Sequence, residues 1–544
     1  MSKYLYLIIA IFITSNLVSQ VAITIPAEYE KSEKLLITWP YSPEIDSIVS
    51  EIIKISREIT KVEILCDPSN PSDTTMIRNF LLSQNANGPN VTFIPAHTNT
   101  SWIRQYSPVF GYGVFTDTLV RYIGNPGFAN YYRPADDSVP KQLADFWNMD
   151  FTNYGLQYEN SNLQYDGLRN IFVGSRILNE NIPMSANDII YSLNSFYNSG
   201  IVTLIPTPMY SGGGDLNGLS NYLKILDFET LLLTSLPDTL PDYLLLEEME
   251  NMFSSLTTNY GNSYNIIRIP AAPNDDGTFT TSSNGEFRSY TNSLILNDLI
   301  IIPSFDQVEY DSIAMGIYQE HMPGYSIHFV DARTLSEVQS GIHTITKEVP
   351  QPSYLRILHS KMIGAQEFYP EVKINTLCGS ATQVENMWLY YKKNSDTAYT
   401  KEEIHLVCPQ HFAVIDKLTP TDTIHYYIEA ISSETQTTYP LSAPEGNFTF
   451  WFDVVSDTEN EIITESFNIS PNPSSGKFTI TEHSNNSNEL LIKIFNTQGQ
   501  LVHSSVRKPN AFIDIETELG TGYYTLVIES GELTSVHKLI ILDR

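Results

Sequence analysis

A histidine lies beside a hydroxyl group in the stretch VQSGIHTITKEVP, Val338 to Pro350, and this pair is the first candidate for chemistry. A threonine hydroxyl is almost fully protonated at neutral pH and attacks an electrophile only when a strong base removes its proton. His343 adjoins Thr344, but neighbours in a strand point to opposite faces, so we expect His343 to be a scaffold residue. The stretch therefore offers a histidine and a hydroxyl group but no competent nucleophile.

Cysteines and metal-binding motifs give no further strong candidate for a catalytic or metal site. The chain has 3 cysteines, none beside a histidine, and Cys378 and Cys408 either pair or remain two buried thiols. Phosphate-loop, His-Glu-x-x-His and Cys-x-x-Cys motifs are missing from the sequence. The stretch PNDDG, Pro273 to Gly277, lacks the length and the terminal Glu of a calcium loop. We expect neither a cofactor nor a metal.

Composition narrows the class of protein. The 544 residues carry a formal net charge of -31, which argues against a nucleic-acid partner because phosphate contacts need clustered Lys and Arg. Residues 1–20 place Lys3 before a short apolar run, which is typical of a secretory signal peptide. No later segment has the length of a transmembrane helix.

Three segments follow the signal. Residues 23–369 mix strand-like runs (KLLITW, VTFIPA, SLILNDLIIIP) with helical ones (EIDSIVSEIIKISREI, DYLLLEEMENMF), which predicts an α/β architecture. Residues 370–455 hold short period-two runs such as IHYYIEAI and predict a small immunoglobulin-like sandwich. After an acidic linker at 456–466, residues 467–544 are again all β.

The last segment carries ISPNPSSGKFTI, the glycine-tyrosine pattern Gly522-Tyr523-Tyr524, and Lys538. These residues resemble the C-terminal sorting domain of the bacterial type IX secretion system. The resemblance implies that the secretion machinery is a partner and that the protein is released or held at the cell surface.

Six motifs in order along residues 23–369 resemble the family of agmatine deiminases and bacterial (Porphyromonas-type) peptidylarginine deiminases. They are TIPAEYEKSEKLLITWPY, NTSWIRQYSPVFGYG, YENSNLQYDGLRNIFVGSRILNEN, LNGLSNYLKILDFETLLL, RSYTNSLILNDLIIIP and SGIHTITKE. The family's fold is a pseudosymmetric five-bladed α/β propeller. The anchors Gln105, Asn162, Gly218, Asn292 and Thr344 recur at intervals of about 50 to 75 residues, as a blade-wise repeat requires.

In the enzymes that this chain resembles, a cysteine thiolate attacks the guanidinium carbon, two carboxylates hold the cation and a histidine moves protons. Carried over residue by residue, the carboxylate positions are Gln105 and Ser220, the histidine position is Gly218 and the nucleophile position is Thr344. Lys224 supports this register, because the family's lysine follows its histidine by six residues. In this mapping, all four positions are substituted.

The leading hypothesis is therefore a secreted or surface-held, catalytically inactive deiminase relative that binds a peptide or protein ligand. The alternative is an active deiminase that hydrolyses the guanidino group of peptidylarginine or agmatine through a displaced constellation. Asp215 could enter the site in a shifted register, or remain a solvated loop residue. Four residues of the retained frame could meet a ligand or serve the scaffold: Trp102, Arg104, Arg133 and Asn292. For Arg104 we favour pairing with an internal acid.

Overall fold

The computed structural model describes residues 24–69, 72–115, 118–128, 132–206, 218–281, 285–380, 382–407, 410–453, 467–472, 474–482, 489–496, 500–508, 512–517, 519–520, 522–530 and 533–541. The chain divides into two compact units, Met1–Asp453 and Val454–Arg544. The predicted signal peptide at 1–20, the linker at 456–466, Asp215 and Cys408 lie outside the described residues.

Residues 24–350, here the first module, alternate helices and strands, as the sequence predicts. The helices are α1 (Pro43–Ser56), α2 (Asp73–Ser83), α3 (Ile103–Tyr106), α4 (Pro134–Trp147), α5 (Ile177–Glu180), α6 (Ala186–Tyr197), α7 (Tyr243–Ser255), α8 (Val308–His321) and α9 (Arg333–Glu337). The strands are β1 (Ser32–Thr38), β2 (Lys61–Cys66), β3 (Val91–Pro95), β4 (Val109–Phe115), β5 (Thr118–Gly127), β6 (Asp150–Gln157), β7 (Leu163–Tyr165), β8 (Asn170–Gly174), β9 (Ile201–Ile205), β10 (Leu223–Asp227), β11 (Thr230–Ser235), β12 (Asn265–Pro270), β13 (Leu294–Leu296), β14 (Leu299–Ser304), β15 (Ser326–Asp331) and β16 (Lys347–Pro350).

One strand pattern occurs five times in this module. An antiparallel pair is followed by a helix and then a strand parallel to the second member of the pair. The resulting sheets are β4-β5-β6, β7-β8-β9, β10-β11-β12, β13-β14-β15 and β16-β1-β2-β3. Each parallel step contains a helix because parallel neighbours need a crossover rather than a tight turn. Among the described residues these are separate open sheets, and none closes on itself.

Local sequence explains these elements. Helix α1 starts with Pro43, has Glu44 and Asp46 in its first turn and ends near Lys54, which suits the helix dipole at both ends. Its buried face includes Val49 and Ile52. The central strands β11 and β14 are almost entirely buried, as expected where helices cover a sheet.

Residues 351–453, the second module, form two sheets around a common apolar core. Their strands are β17 (Leu355–Leu358), β18 (Gly364–Gln366), β19 (Val372–Ser380), β20 (Val384–Lys393), β21 (Thr400–Glu403), β22 (His405–Val407), β23 (Gln410–Ile415), β24 (Thr423–Ser432), β25 (Gln436–Tyr439) and β26 (Phe448–Phe452). The sheet orders are β17-β19-β23-β22 and β18-β26-β24-β20-β21, with β25 beside β24. Strands β17 and β18 precede Tyr369, where the sequence places the boundary, yet they pair with strands of this module.

The two modules are joined by polar and aromatic contacts. The Arg356 guanidinium on β17 donates to both carboxylate oxygens of Glu30 and to the Gly167 carbonyl. Lys361 pairs with Asp227 at 2.5 Å between Nζ and Oδ2. These contacts cross from one module to the other, so the second module is held against the first.

The described residues of the C-terminal unit form strands and turns without a helix. Its strands are β27 (Phe467–Ser470), β28 (Lys477–Glu482), β29 (Leu490–Phe495), β30 (Leu501–Arg507), β31 (Phe512–Glu516), β32 (Gly522–Ser530) and β33 (Leu533–Ile541). They form the sheets β27-β28-β31 and β30-β29-β32-β33. The Asn472 side chain accepts a hydrogen bond from Ile540 N at 2.8 Å. Lys538 Nζ lies 4.6 Å from the centre of the Tyr523 ring, so the motif residues are neighbours. In the described part of the chain, no helix has the length and apolarity needed to cross a membrane.

Candidate functional site

Five short segments of the first module meet in a cyclic series of contacts. They are α3, the 3-10 turns Asn160–Asn162 and Leu219–Asn221, residues 289–292 and the turn at 342–345. The joining contacts, in order, are Asn160 Nδ2 to Ser107 O, Gly218 against Ser161, Thr291 Oγ1 to Ser220 O (3.0 Å), His343 N to Asn292 Oδ1 (2.8 Å) and Arg104 N to Thr344 O (3.0 Å). Gln105, Ser220 and Thr344 lie on these segments and Gly218 directly precedes one of them, so the structure brings these four residues into neighbouring segments.

Residue 218, to which the resemblance assigns the histidine position, is closely surrounded. A Cβ on Gly218 would lie 2.3 Å from the Ser161 carbonyl oxygen and 2.7 Å from the Ser161 Cβ. Contacts this short with backbone cannot be relieved by a side-chain rotation, so any larger residue at 218 requires residues 160–162 to move. The close approach of Ser161 thus explains why residue 218 is a glycine.

The first carboxylate position holds the chain's own guanidinium. Arg133 Nη1 donates to Gln105 Oε1 at 2.7 Å, and Arg133 Nε donates to Asp136 Oδ2 at 2.7 Å. The guanidinium carbon lies 5.3 Å from the centre of the Trp102 ring, within the range of a cation–π contact. Trp102 and Arg133, which the sequence offered for ligand contact, and the substituted position Gln105 therefore satisfy one another internally.

The remaining positions are enclosed. Ser220 and Thr344 are buried, and the Ser220 carbonyl accepts the Thr291 hydroxyl. Asn292 donates from Nδ2 to Asn221 Oδ1 at 2.5 Å and accepts the His343 amide, which is a structural role.

The geometry around His343 differs from the sequence argument. Residues 342–345 form a turn, so the strand alternation that we used to separate His343 from Thr344 does not apply. Nevertheless, the imidazole turns to an acid rather than to the hydroxyl: its Nε2 lies 2.8 Å from Glu28 Oε2. Burial and the nearby Arg104 guanidinium lower the pKa of His343 to about 3.

Glu28 organises a buried charge cluster that the sequence analysis did not single out. Its carboxylate accepts hydrogen bonds from Arg104 Nη1 (3.0 Å) and Lys224 Nζ (3.0 Å), besides contacting His343. Arg104 also donates to Glu348 from Nη2 at 2.8 Å. Arg104 thus pairs with internal acids, the alternative that we favoured. Although burial opposes it, the positive charges of Lys224 and Arg104 and the hydrogen bond with His343 leave the pKa of Glu28 well below its usual value.

Neither described cysteine belongs to the five segments of the candidate site. Cys66 is buried in the core of the first module, where burial raises its pKa to about 11. Cys378 lies on β19 in the second module, and its predicted pairing with Cys408 falls outside the described residues.

The low pKa of His343 gives stability a defined pH dependence. The folded imidazole stays neutral at pH 5, whereas the unfolded chain binds a proton below about pH 6.5. This contribution is complete above pH 6.5 and is lost as the pH falls towards 3. We expect it to remove about 2 kcal/mol of unfolding free energy between pH 7 and pH 5.

Urea unfolding at both pH values measures this loss in the wild type and in His343→Gln. His343→Gln should be less stable than the wild type at pH 7. Its free energy of unfolding should fall less between pH 7 and pH 5, because the contribution of the histidine is absent. The exposed His328, changed to Gln, is the control and should keep the wild-type decrease. An unchanged decrease in His343→Gln would contradict the assignment.

Comparison with known proteins decides the family. Residues 24–350 match the Porphyromonas-type peptidyl-arginine deiminase family. The chain belongs to this family. Residues 468–542 of this deiminase-family protein match a secretion system C-terminal sorting domain, which makes it an exported protein, secreted or held at the cell surface.

The first module of this deiminase-family protein also resembles agmatine deiminases. The Medicago truncatula agmatine deiminase is 22% identical over 364 residues, which cover 60% of this chain and 96% of that one. The Enterococcus faecalis agmatine deiminase structure superposes with a TM-score of 0.52 at 17% identity, over 61% of this chain and 96% of that one. A C. jejuni agmatine deiminase cysteine-to-serine variant with substrate bound has a TM-score of 0.52 at 18% identity, over 61% and 97%. At these identities the structures establish a shared fold.

Proposed function

We propose that this exported deiminase-family protein does not hydrolyse guanidino groups and acts by binding a peptide or protein ligand. The observation that carries the proposal is the packing of Ser161 against Gly218, which fills the place of the family histidine. Without a histidine there, nothing at that position moves a proton to departing ammonia or activates water.

The other substituted positions support the same reading. A threonine hydroxyl at 344 has no base within the contacts of its turn, and His343 is directed to Glu28. Gln105 has an amide where the family has a carboxylate, and Arg133 donates a hydrogen bond to the oxygen of this amide. A substrate guanidinium would have to displace this internal one and would find no charge to pair with.

We further propose that the five repeated sheets form the five-bladed propeller of the family, with the four substituted positions on its axis. The cyclic order of contacts from α3 to the 342–345 turn supports this arrangement. The second module is proposed to be an immunoglobulin-like sandwich that begins after Pro350, because β17 and β18 pair within it.

Release of ammonia and ureido product by the purified full-length protein tests the proposal. Substrates are free arginine, agmatine and peptides with internal or C-terminal arginine. We expect no turnover by the wild type or by Thr344→Cys, since a thiol alone lacks the acid–base and cation-binding groups. Clear wild-type turnover would contradict the proposal and favour the alternative, an active deiminase with displaced groups.

Two restored variants distinguish the effect of the substituted catalytic positions from the effect of the close packing around position 218. The first combines Gln105→Asp, Gly218→His, Ser220→Asp and Thr344→Cys, and the second adds Asn160→Gly and Ser161→Gly. We expect activity only in the second, because paired glycines let the backbone withdraw from position 218. Adding Arg133→Gln reports whether the internal guanidinium competes with substrate.

A further inference from the structure

A small cavity of about 70 Å³ lies in the first module, and none of the four substituted positions lines it. Its walls come from residues 25–32, β4, β7 and β16, together with Asn160 and Tyr197. Its apolar side includes Val109 and Phe110. Its charged side holds an amine, Lys347, among three carboxylates, Glu28, Glu30 and Glu348.

Each of these carboxylates is already engaged by another cation. Glu28 is held by Arg104 and Lys224, Glu348 by Arg104, and Glu30 by Arg356. The Lys347 side-chain amine makes no hydrogen bond or ion pair with any residue that the structure describes. The partly exposed side chain lines the cavity. A small molecule in the cavity can therefore reach the amine, which no described carboxylate pairs with directly.

The surroundings of Lys347 lower the pKa of its amine. Burial lowers the pKa of Lys347 most strongly, and the nearby positive charges of Arg104 and Lys224 lower it further. Attraction to Glu348 and Glu28 offsets part of this, and the resulting pKa is about 8. Lysines in this situation, desolvated and beside other cations, are those that form Schiff bases with carbonyl compounds.

We propose that Lys347 is a covalent binding site for small, uncharged aldehydes, which it holds as a Schiff base. The lone pair of Nζ attacks the carbonyl carbon, and the carbonyl oxygen takes up a proton. The carbinolamine then loses water as the C=N bond forms, and hydrolysis reverses both steps. The cavity volume suits two or three carbon atoms, and the surrounding carboxylates disfavour an anionic carbonyl compound.

Reductive trapping on the full-length protein tests this site. The protein is treated with propionaldehyde and cyanoborohydride at pH 7 to 10, and each lysine is followed by peptide mass spectrometry. At pH 7 about 10% of an amine with pKa 8 is neutral, against about 0.03% of an ordinary lysine. Lower intrinsic nucleophilicity and narrower access reduce this advantage, and we expect Lys347 to react about tenfold faster than exposed lysines.

Lys417, whose side chain is 88% exposed, is the internal reference in the same sample. The Lys347 rate should level off above pH 8, whereas the Lys417 rate should keep rising to pH 10. Lys347→Arg should lose the fast adduct and keep all others. Equal rates at pH 7, or parallel pH profiles, would overturn the proposal. Because the wild type alone provides these readouts, the test holds even if a variant does not fold. The result also does not depend on whether the protein hydrolyses guanidino groups.

Discussion

Glu28→Gln is expected to lower the free energy of unfolding by about 3–5 kcal/mol, because it removes one charge from a buried network. Lys224 and Arg104 are fully buried, and the Glu28 carboxylate is the hydrogen-bond acceptor of the Lys224 ammonium. Glutamine preserves the shape but leaves the ammonium without a counter-charge. The same change removes the acid that contacts His343.

Urea denaturation at pH 7, followed by tryptophan fluorescence, measures this effect. Glu250→Gln is the matched control, since Glu250 pairs with Arg268 near the surface and Arg268 keeps Glu247. The control should cost less than about 1 kcal/mol. Because the pKa of Glu28 is lowered in the fold, its contribution is complete above about pH 4.5 and is lost at lower pH. Equal losses in both variants at pH 7 would contradict a buried network.

Arg356→Met is expected to cost a similar amount, about 3–5 kcal/mol, and to separate the unfolding of the two modules. Methionine retains the apolar length of the side chain. It removes the donors that hold Glu30 and the Gly167 carbonyl, both in the first module. The carboxylate then loses its only described guanidinium partner while remaining largely buried.

Limited proteolysis and denaturation monitored by two probes test this prediction. We expect Arg356→Met to unfold in two transitions, with early cleavage near the junction at 350–355. Arg333→Met removes an exposed pair with Asp331 and should leave a single transition and nearly wild-type stability. A single, unshifted transition in Arg356→Met would show that the remaining contacts suffice to hold the modules together.

Much of the fold follows from periodicity in the sequence. IHYYIEAI predicted a strand, and β24 alternates buried and half-buried residues along its length. SLILNDLIIIP contains β13 and β14, paired around Asn297. LRIL, by contrast, was assigned to the first module, but β17 pairs in the second. A short apolar run does not reveal which sheet it joins, because that depends on partners distant in the chain.

The sequence supports a candidate site as a hypothesis, but it does not reveal the contacts of the residues concerned. Motif order placed Gln105, Gly218, Ser220 and Thr344 on segments that the structure brings together. Glu28 lies in the motif TIPAEYEKSEKLLITWPY, but its charge alone gave no sign of its role. Its contact with His343 spans 315 residues of sequence, a separation at which no local pattern carries information. Likewise, only the folded backbone reveals that Ser161 blocks position 218.

The contact between Gly218 and Ser161 also imposes an order on evolution. A histidine that arises at 218 while the 160–162 backbone stays in place meets the carbonyl oxygen of Ser161 and is selected against for stability. A larger residue at 218 therefore becomes tolerable only after, or together with, a change that lets the backbone of residues 160–162 move. Which residues position 218 can accept is decided by earlier changes in the neighbouring turn.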